Sequence, residues 1–487
     1  MSASASARPT SASSSSWRNA PSHMKAAFVF ATAAAIAGSV LGASAYDKYQ
    51  DWQWMPVEVA DTNAAENVRF HEDDSNPYHG PWLTLPSETG MTITWITTVR
   101  CAGGVEYREK GTNEWKSVWQ VRTGQVDYSK DIHFIHLTGL KPATEYEYRI
   151  LSNRDRHATA YHSVVNHGRV IHSFRTVDPK RDHYKVFLTC DLHGTSRLCL
   201  DPMIERSGAA DADFYFLLGD NVEDRVGDSI RDYITRGYLD DITRKWGTSK
   251  ATIFLRGNHD IWGRDTYIYG DYFPQPDGKT YYAFRQGPVL FIGLDTLWKG
   301  SEKIQNEQME AYLKEQADWI RELKKTPMWK GATFRVALSH VAPFPPGGHD
   351  WVPNAFNDVF LDESEDGRIH AFVSGHEHVY ARLNPNSNEL HINTAVAKVN
   401  PEKYPPRSFS MRPLPERFPY VHVIGHVVEA MTIDVSPEKL VFKSHNYRVP
   451  DGGLFDAFEL YPDGTVKDLV ETTVFRIPPP KTATKKK

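Results

Sequence analysis

Cysteine is scarce in this chain of 487 residues: Cys101, Cys190 and Cys199 are the three, an odd number without Cys-x-x-Cys spacing. That scarcity argues against a disulfide framework and against a zinc site built from thiolates. One bridge, Cys190 to Cys199, stays open beside the reading of all three as buried free thiols. A long basic stripe is also missing, and the formal net charge is -5. Binding along nucleic acid therefore has no electrostatic footing and is not expected, whereas a small or locally phosphorylated substrate fits. Beyond Leu41 no apolar run is long enough to cross a bilayer, so no stable span is expected once a leader is removed. The one terminal basic cluster, Lys485 to Lys487 behind Pro478 to Pro480, reads as a solvated flexible tail over 476–487.

What is present is the composition of a soluble globular protein, 40% hydrophobic and 24% charged, at a length that favours two folded domains and a processed or flexible end. The first 20 or so residues are Ser/Ala-rich low complexity with too little apolar surface to offset ordering. Met24-Lys25 then opens an apolar stretch from Ala26 to Leu41. It ends in small residues, with Ala43 and Ala45 meeting the cleavage preference of a secretory signal and Arg18, His23 and Lys25 supplying the basic flank. Residues 1–45 are thus read as leader and signal peptide and 46–76 as linker, which implies a secreted or periplasmic protein. An uncleaved anchor facing outward is the alternative, since the run approaches the ~20 residues a span requires. A start at Met24 is a further one.

From 77 to 178 the pattern changes to short alternating strands, such as Met91 to Thr97, Gly104 to Arg108 and His133 to Leu137, the spacing of an antiparallel all-β sandwich. The run Leu140-Lys-Pro142-Ala-Thr144-Glu-Tyr146-Glu-Tyr148-Arg resembles fibronectin type III and purple acid phosphatase N-terminal domains. The resemblance implies a tyrosine corner at Tyr146, a core tryptophan at Trp95 and a closing strand at His172 to Thr176. Positioning rather than chemistry is the expected role of this part.

From 182 to 475 one arrangement recurs: a short β-branched or aromatic run stops abruptly at metal-ligand residue types. Lys185 to Thr189 leads into Asp191-Leu-His193, Phe214 to Leu218 into Gly219-Asp220, and Thr252 to Leu255 into Gly257-Asn258-His259-Asp260. Phe334 to Leu338 leads into Ser339-His340, and Ala371 to Val373 into Gly375-His376-Glu-His378. Such runs are buried strands, and ligands at their carboxyl ends converge on one rim of the sheet. Hydrolysis of a phosphate ester needs a nucleophilic water, charge compensation at the phosphoryl oxygens and a proton for the leaving oxygen. Two metals about 3.5–4 Å apart serve the first two needs if a carboxylate bridges them, and Asp220 is the natural bridge. Oxygen and nitrogen donors without thiolate favour Mn, Fe or Zn. Val289 to Leu294, followed by Asp295, reads as another buried strand. Met309, Tyr312, Leu313, Ile320 and Leu323 share one helical face, and Glu429 to Asp434 with Lys439 to Lys443 read as edge strands.

The five blocks, in this order, resemble the signature of the calcineurin-like metallophosphoesterase superfamily. The resemblance implies a four-layer α/β/β/α sandwich behind the all-β domain. It gives one metal to Asp191, His193, Asp220 and His378 and the other to Asp220, Asn258, His340 and His376. His259 would stay off the metals, orient the phosphate and protonate the leaving group. Glu223, Arg225, Asp260 and Arg264 are candidates for supporting or phosphate contacts, and the turn-rich loop from Pro343 offers His349 and Trp351 as specificity candidates. The chain departs from purple acid phosphatases at Glu223, where their metal-binding tyrosine would stand, and at His193, whose place gives the ligand pattern of Mn/Fe phosphodiesterases. A phosphatase acting on monoesters is expected, with a diesterase and a non-catalytic extracellular binding protein as alternatives; a nuclease is disfavoured by charge.

Overall fold

The computed structural model describes residues 77–153, 165–167, 170–194, 196–222, 234, 238–261, 269–275, 278–296, 303–341, 358–359, 362, 364–378, 380–383, 406–410, 421–424, 429–446, 453–470 and 474–475. The segments read from sequence as leader, linker and basic tail lie outside them. Residues Glu66–Lys487 form one compact unit.

The β-rich part contains β1 (Pro77–Thr84), β2 (Met91–Glu109), β3 (Lys130–Leu137), β4 (Glu145–Asn153) and β5 (His172–Arg175). β2 is long enough to pair with β1 and β3 along its first half and with β4 along its second. Tyr146 is buried, and its hydroxyl accepts the Lys141 N–H at 2.9 Å, which pins the turn into β4 as a tyrosine corner does. Trp95 has no exposed surface and packs in the core with Tyr146, Tyr148 and Phe174.

The α/β part follows with β6 (Tyr184–Thr189), α1 (Ser196–Ser207), β7 (Phe214–Leu218), β8 (Ala251–Leu255), β9 (Tyr282–Gln286), β10 (Val289–Gly293), α2 (Lys303–Leu323), β11 (Phe334–Ser339) and β12 (Ala371–His378). β13 (Glu429–Val435), β14 (Leu440–Asn446) and β15 (Leu454–Leu460) complete it. In one sheet β6, β7 and β8 run parallel; in the other β10, β11 and β12 do. The strands are apolar on both faces because both faces are covered. Val186, Leu188, Phe214, Phe216, Leu218, Ile253 and Leu255 face Phe284, Phe291, Val336, Leu338 and Val373 in the core between the sheets. Their neighbours Phe187, Tyr215, Leu217 and Phe254 turn outward to Leu200 and Met203 of α1. Leu290, Ile292, Ala337 and Phe372 turn outward to Leu313, Ala317 and Ile320 of α2. Strand alternation thus generates the four-layer α/β/β/α sandwich.

Two features depart from the expectations. Neither Glu429–Val435 nor Leu440–Asn446 is an edge strand: β13 lies between β6 and β14, β14 lies between β13 and β15, and the described edge is Val466–Asp468. The β-rich part is also continuous with the α/β part. β1 pairs in parallel with β8 at Leu83 and Ala251, Trp82 Nε1–H donates to the Tyr272 carbonyl at 3.1 Å, and the Tyr148 hydroxyl donates to the Thr248 carbonyl at 2.8 Å. No disulfide joins the three cysteines; Cys101 and Cys199 are buried and Cys190 partly so.

Two histidines away from the donor cluster make acid stability predictable. His133 stacks on Trp95 with ring centres 5.2 Å apart, and His370 Nε2 lies 3.0 Å from the Pro462 carbonyl. Burial pushes each imidazole down to about 4, whereas an unfolded histidine titrates near 6.5. Between those values the unfolded chain binds more protons. Stability is therefore full above pH 6.5 and drains as pH falls towards 4, by up to roughly 3 kcal/mol per histidine. Urea midpoints measured from pH 7 to 4.5 should fall, and less steeply in His370→Asn; a flat profile would contradict this.

Candidate metal centre

The loops leaving β6, β7, β8, β11 and β12 meet above the carboxyl ends of their strands, where parallel sheets place their sites. Hydrogen bonds lace them together. The Asp191 N–H donates to the Gly219 carbonyl at 2.9 Å, His193 N–H to the Asp220 carbonyl at 3.0 Å, and Gly375 N–H to the His340 carbonyl at 2.9 Å. Side chains join in: His259 N–H donates to Asp220 Oδ1 at 2.8 Å and His376 N–H to Asp191 Oδ2 at 3.1 Å. Seven described non-glycine residues have positive φ, and four of them are here: Asp191 at 51°, His193 at 46°, Asp220 at 50° and His376 at 75°. Backbone of this kind persists only where surrounding contacts over-determine it, and it gathers at functional sites.

The donor atoms converge in two triads that share Asp220. Asp191, His193 and Asp220 form one, and Asp220, His340 and His376 the other, with the donor atoms of each within 4.8 Å of one another. His340 is wholly buried, with Nδ1 2.8 Å from the Leu218 carbonyl. A carbonyl can only accept, so Nδ1 carries the proton and Nε2 faces the site, 3.1 Å from Asp220 Oδ2 and 3.2 Å from Asn258 Oδ1. A backbone carbonyl fixing the outer nitrogen in this way is a usual companion of a metal-ligating histidine. The His340 and His376 rings stand 5.3 Å apart, and those of His193 and His259 4.8 Å apart at 90°.

Electrostatics are dominated by burial and by Asp220. Burial alone would raise the Asp220 carboxyl, but the neighbouring His340 imidazole outweighs it and holds the group below its ordinary value. Burial alone would lower His340, yet Asp220 pushes it up to about 9. Asp260, fully buried and next to Asp220, is pushed up to about 7 by burial first and by the Asp220 charge second, and its Oδ2 accepts the Gly257 N–H at 2.8 Å. Anionic charge packed this densely is what a bound cation would relieve, and the all-oxygen-and-nitrogen donor set fits a hard or borderline metal. Gly257 is required for the approach, because a Cβ there would stand 2.2 Å from Asp220 Oδ1 and 2.5 Å from the Asp220 nitrogen.

Of the residues expected from sequence, the structure brings Asp191, His193, Asp220, Asn258, His259, Asp260, His340 and His376 together. His378 closes β12, but its side chain lies outside the described residues, as do Glu223, Arg225, Arg264, His349 and Trp351. Sequence reasoning overlooked Arg256 and Asp295, which form an ion pair at 2.6 Å beside the β8 loop. The signal was there: Asp295 follows an apolar strand as the metal-ligand residues do.

Residues 80–176 match the family model for the purple acid phosphatase N-terminal domain, and residues 184–380 match that for calcineurin-like phosphoesterases. No curated protein matches the chain. The solved structure of PhoD aligns with a TM-score of 0.55 at 12% identity, covering 81% of this chain and 92% of that one, a likeness of fold. The sensor domain of the anti-sigma factor RsgI4 from Pseudobacteroides cellulosolvens covers 20% of this chain and 91% of that one at 14% identity, but its TM-score of 0.14 carries no weight. Residues 184–380 are thus a calcineurin-like phosphoesterase domain of the metallophosphoesterase superfamily, placed behind a purple acid phosphatase N-terminal domain. The chain is a metal-dependent phosphoester hydrolase. Among the described residues no helix is long and apolar enough to cross a membrane.

Proposed function

We propose that the chain is an exported phosphatase acting on monoesters of small phosphorylated molecules, through a site for two ions of Mn, Fe or Zn. The observation that carries this reading is the position of Asp220 in both donor triads. One ion would be held by Asp191, His193, Asp220 and His378, and the other by Asp220, Asn258, His340 and His376. When bound, such ions supply an acidified water as nucleophile and charge compensation for the phosphoryl oxygens. The chain's own residues do the rest. Asp220 and His340 hold their donor atoms in place before substrate arrives, which avoids reorganisation during reaction. His259 is tied at its backbone to Asp220, yet its ring keeps 18% of its surface exposed, as a group that must hand a proton to a leaving alkoxide requires. Export rests on the apolar segment from Ala26 to Leu41 and the small residues behind it. Domain limits of 77–178 and 182–475 belong to the same proposal.

The test is hydrolysis of an aryl phosphate monoester and the matching diester by the metal-reconstituted full chain. Monoester turnover should dominate, and with an alkyl monoester, whose leaving group needs a proton, His259→Ala should lower kcat by about 10²- to 10⁴-fold with metal content unchanged. Faster turnover of the diester would reassign the substrate class, in keeping with His193 in the first triad. Hydrolysis of neither ester with any of the three metals would favour a binding protein.

A further inference from the structure

The chain leaves β8 at Leu255 and enters the Asn258-His259 loop through Arg256, a residue with no role in the site so far. Its Nε–H donates to Asp295 Oδ2 at 2.6 Å, and Asp295 has no exposed surface. Asp295 lies just past β10, so this pair joins the loop of one sheet to the strand end of the other. Asp295 is in turn held on several sides. Its N–H donates to Gln316 Oε1 at 2.9 Å, and its carbonyl accepts from Gln316 Nε2 at 2.9 Å. The Thr280 hydroxyl also donates to Asp295 Oδ2 and sits 2.5 Å from the Tyr312 hydroxyl. Gln316 and Tyr312 both belong to α2. On the far side of the loop the Asp260 carboxylate accepts the Gly257 N–H. The short loop carrying Asn258 and His259 is therefore closed on itself by Asp260 and tied at its entry, through Arg256, to the second sheet and the outer helix.

We propose that Arg256 is a positioning residue, its pair with the buried Asp295 setting where His259 stands relative to Asp220 on the first sheet and His340 on the second. A charge-assisted bond to a buried carboxylate is short and directional. Lysine, with a point charge on a flexible stem, reproduces the charge of Arg256 but not the orientation. The inference rests on the proposed function of His259 as proton donor, and its test separates the two.

That test compares two phosphate monoesters on the full metal-loaded chain: a nitrophenyl ester, whose leaving group departs without a proton, and an alkyl ester, whose leaving group needs one. Arg256→Lys and Asp295→Asn should lower kcat for the alkyl ester by about 100-fold, and for the nitrophenyl ester by less than about tenfold, with KM little changed and metal content intact. Equal losses on both esters, or no loss, would overturn the proposal, because damage to folding or metal loading does not distinguish leaving groups. Should both variants fail to fold, Tyr312→Phe decides: it leaves the ion pair in place, removes the hydroxyl beside Thr280, and should shift the ratio between the esters about threefold in the same direction. No shift there counts against the proposal. If His259→Ala itself lowers both esters equally, the proton-donor reading falls, and the role of Arg256 falls with it.

Discussion

Asp220→Asn is expected to empty the metal centre while leaving the fold standing. Asp220 contributes to both donor triads, so the loss of its charge weakens two sites together. Removing a group that merely orients a metal ligand commonly lowers affinity 10–100-fold, and removing a shared ligand should exceed about 100-fold. Hydrolysis should drop to below about 1% of the parent at any metal concentration that saturates the parent. Asn keeps the shape of the side chain and an oxygen to accept the His259 N–H. It also removes both the repulsion that Asp220 exerts on Asp260 and its attraction for His340, two effects of opposite sign. Urea unfolding in the presence of chelator should therefore give a midpoint near that of the parent, which separates loss of metal from loss of structure. Full activity in this variant would mean that Asp220 is not a ligand.

Gly257→Ala tests the same site from its back wall. The added Cβ meets Asp220 Oδ1 and the Asp220 backbone nitrogen well inside contact distance, and backbone cannot swing aside as the end of a flexible side chain can. The two loops must separate, straining a packed region by about 1–3 kcal/mol. Misplacement of reacting groups by about 1 Å is enough to lower turnover about 100-fold. The expected result is a folded protein, slightly less stable, with kcat reduced by that order and KM much less affected. A variant with parent kinetics would show that the approach of the β7 and β8 loops does not matter to the reaction.

Much of the site was legible because its grammar is local. A buried parallel strand announces itself by four or five apolar residues, and ligand types directly behind it can only point off the strand end. Five such blocks point to Asp191, His193, Asp220, Asn258, His259, His340, His376 and His378, of which the structure brings the first seven together. The layers were implied by the resemblance alone, because strands apolar on both faces do not say which residues meet the opposite sheet and which meet the helices. The departures are all non-local. A single parallel bridge between Leu83 and Ala251 joins segments distant in the chain and has no periodicity to betray it. Glu429–Val435 looked like an edge strand because the strand that covers it, Leu440–Asn446, is in turn covered by Leu454–Leu460, a pairing order that apolar content does not encode. Left-handed backbone at Asp191, His193, Asp220 and His376 suits Asp and His better than most residues, but tertiary contacts impose it and no local pattern marks it. Asp295 follows an apolar strand as the ligand residues do, but its partner Arg256 is distant in the chain, so their pairing has no local signal.

Metal stoichiometry measured together with activity tests the central claim most directly. The full chain should be stripped with chelator, titrated with Mn, and followed for bound metal and for aryl phosphate hydrolysis in the same samples. Activity should be absent in the stripped protein and should rise to a plateau at two ions per chain, with neither binding nor activity in Asp220→Asn. Hydrolysis that survives chelation, or a plateau reached in the parent with no metal bound, would contradict a reaction carried by the site that Asp220 joins.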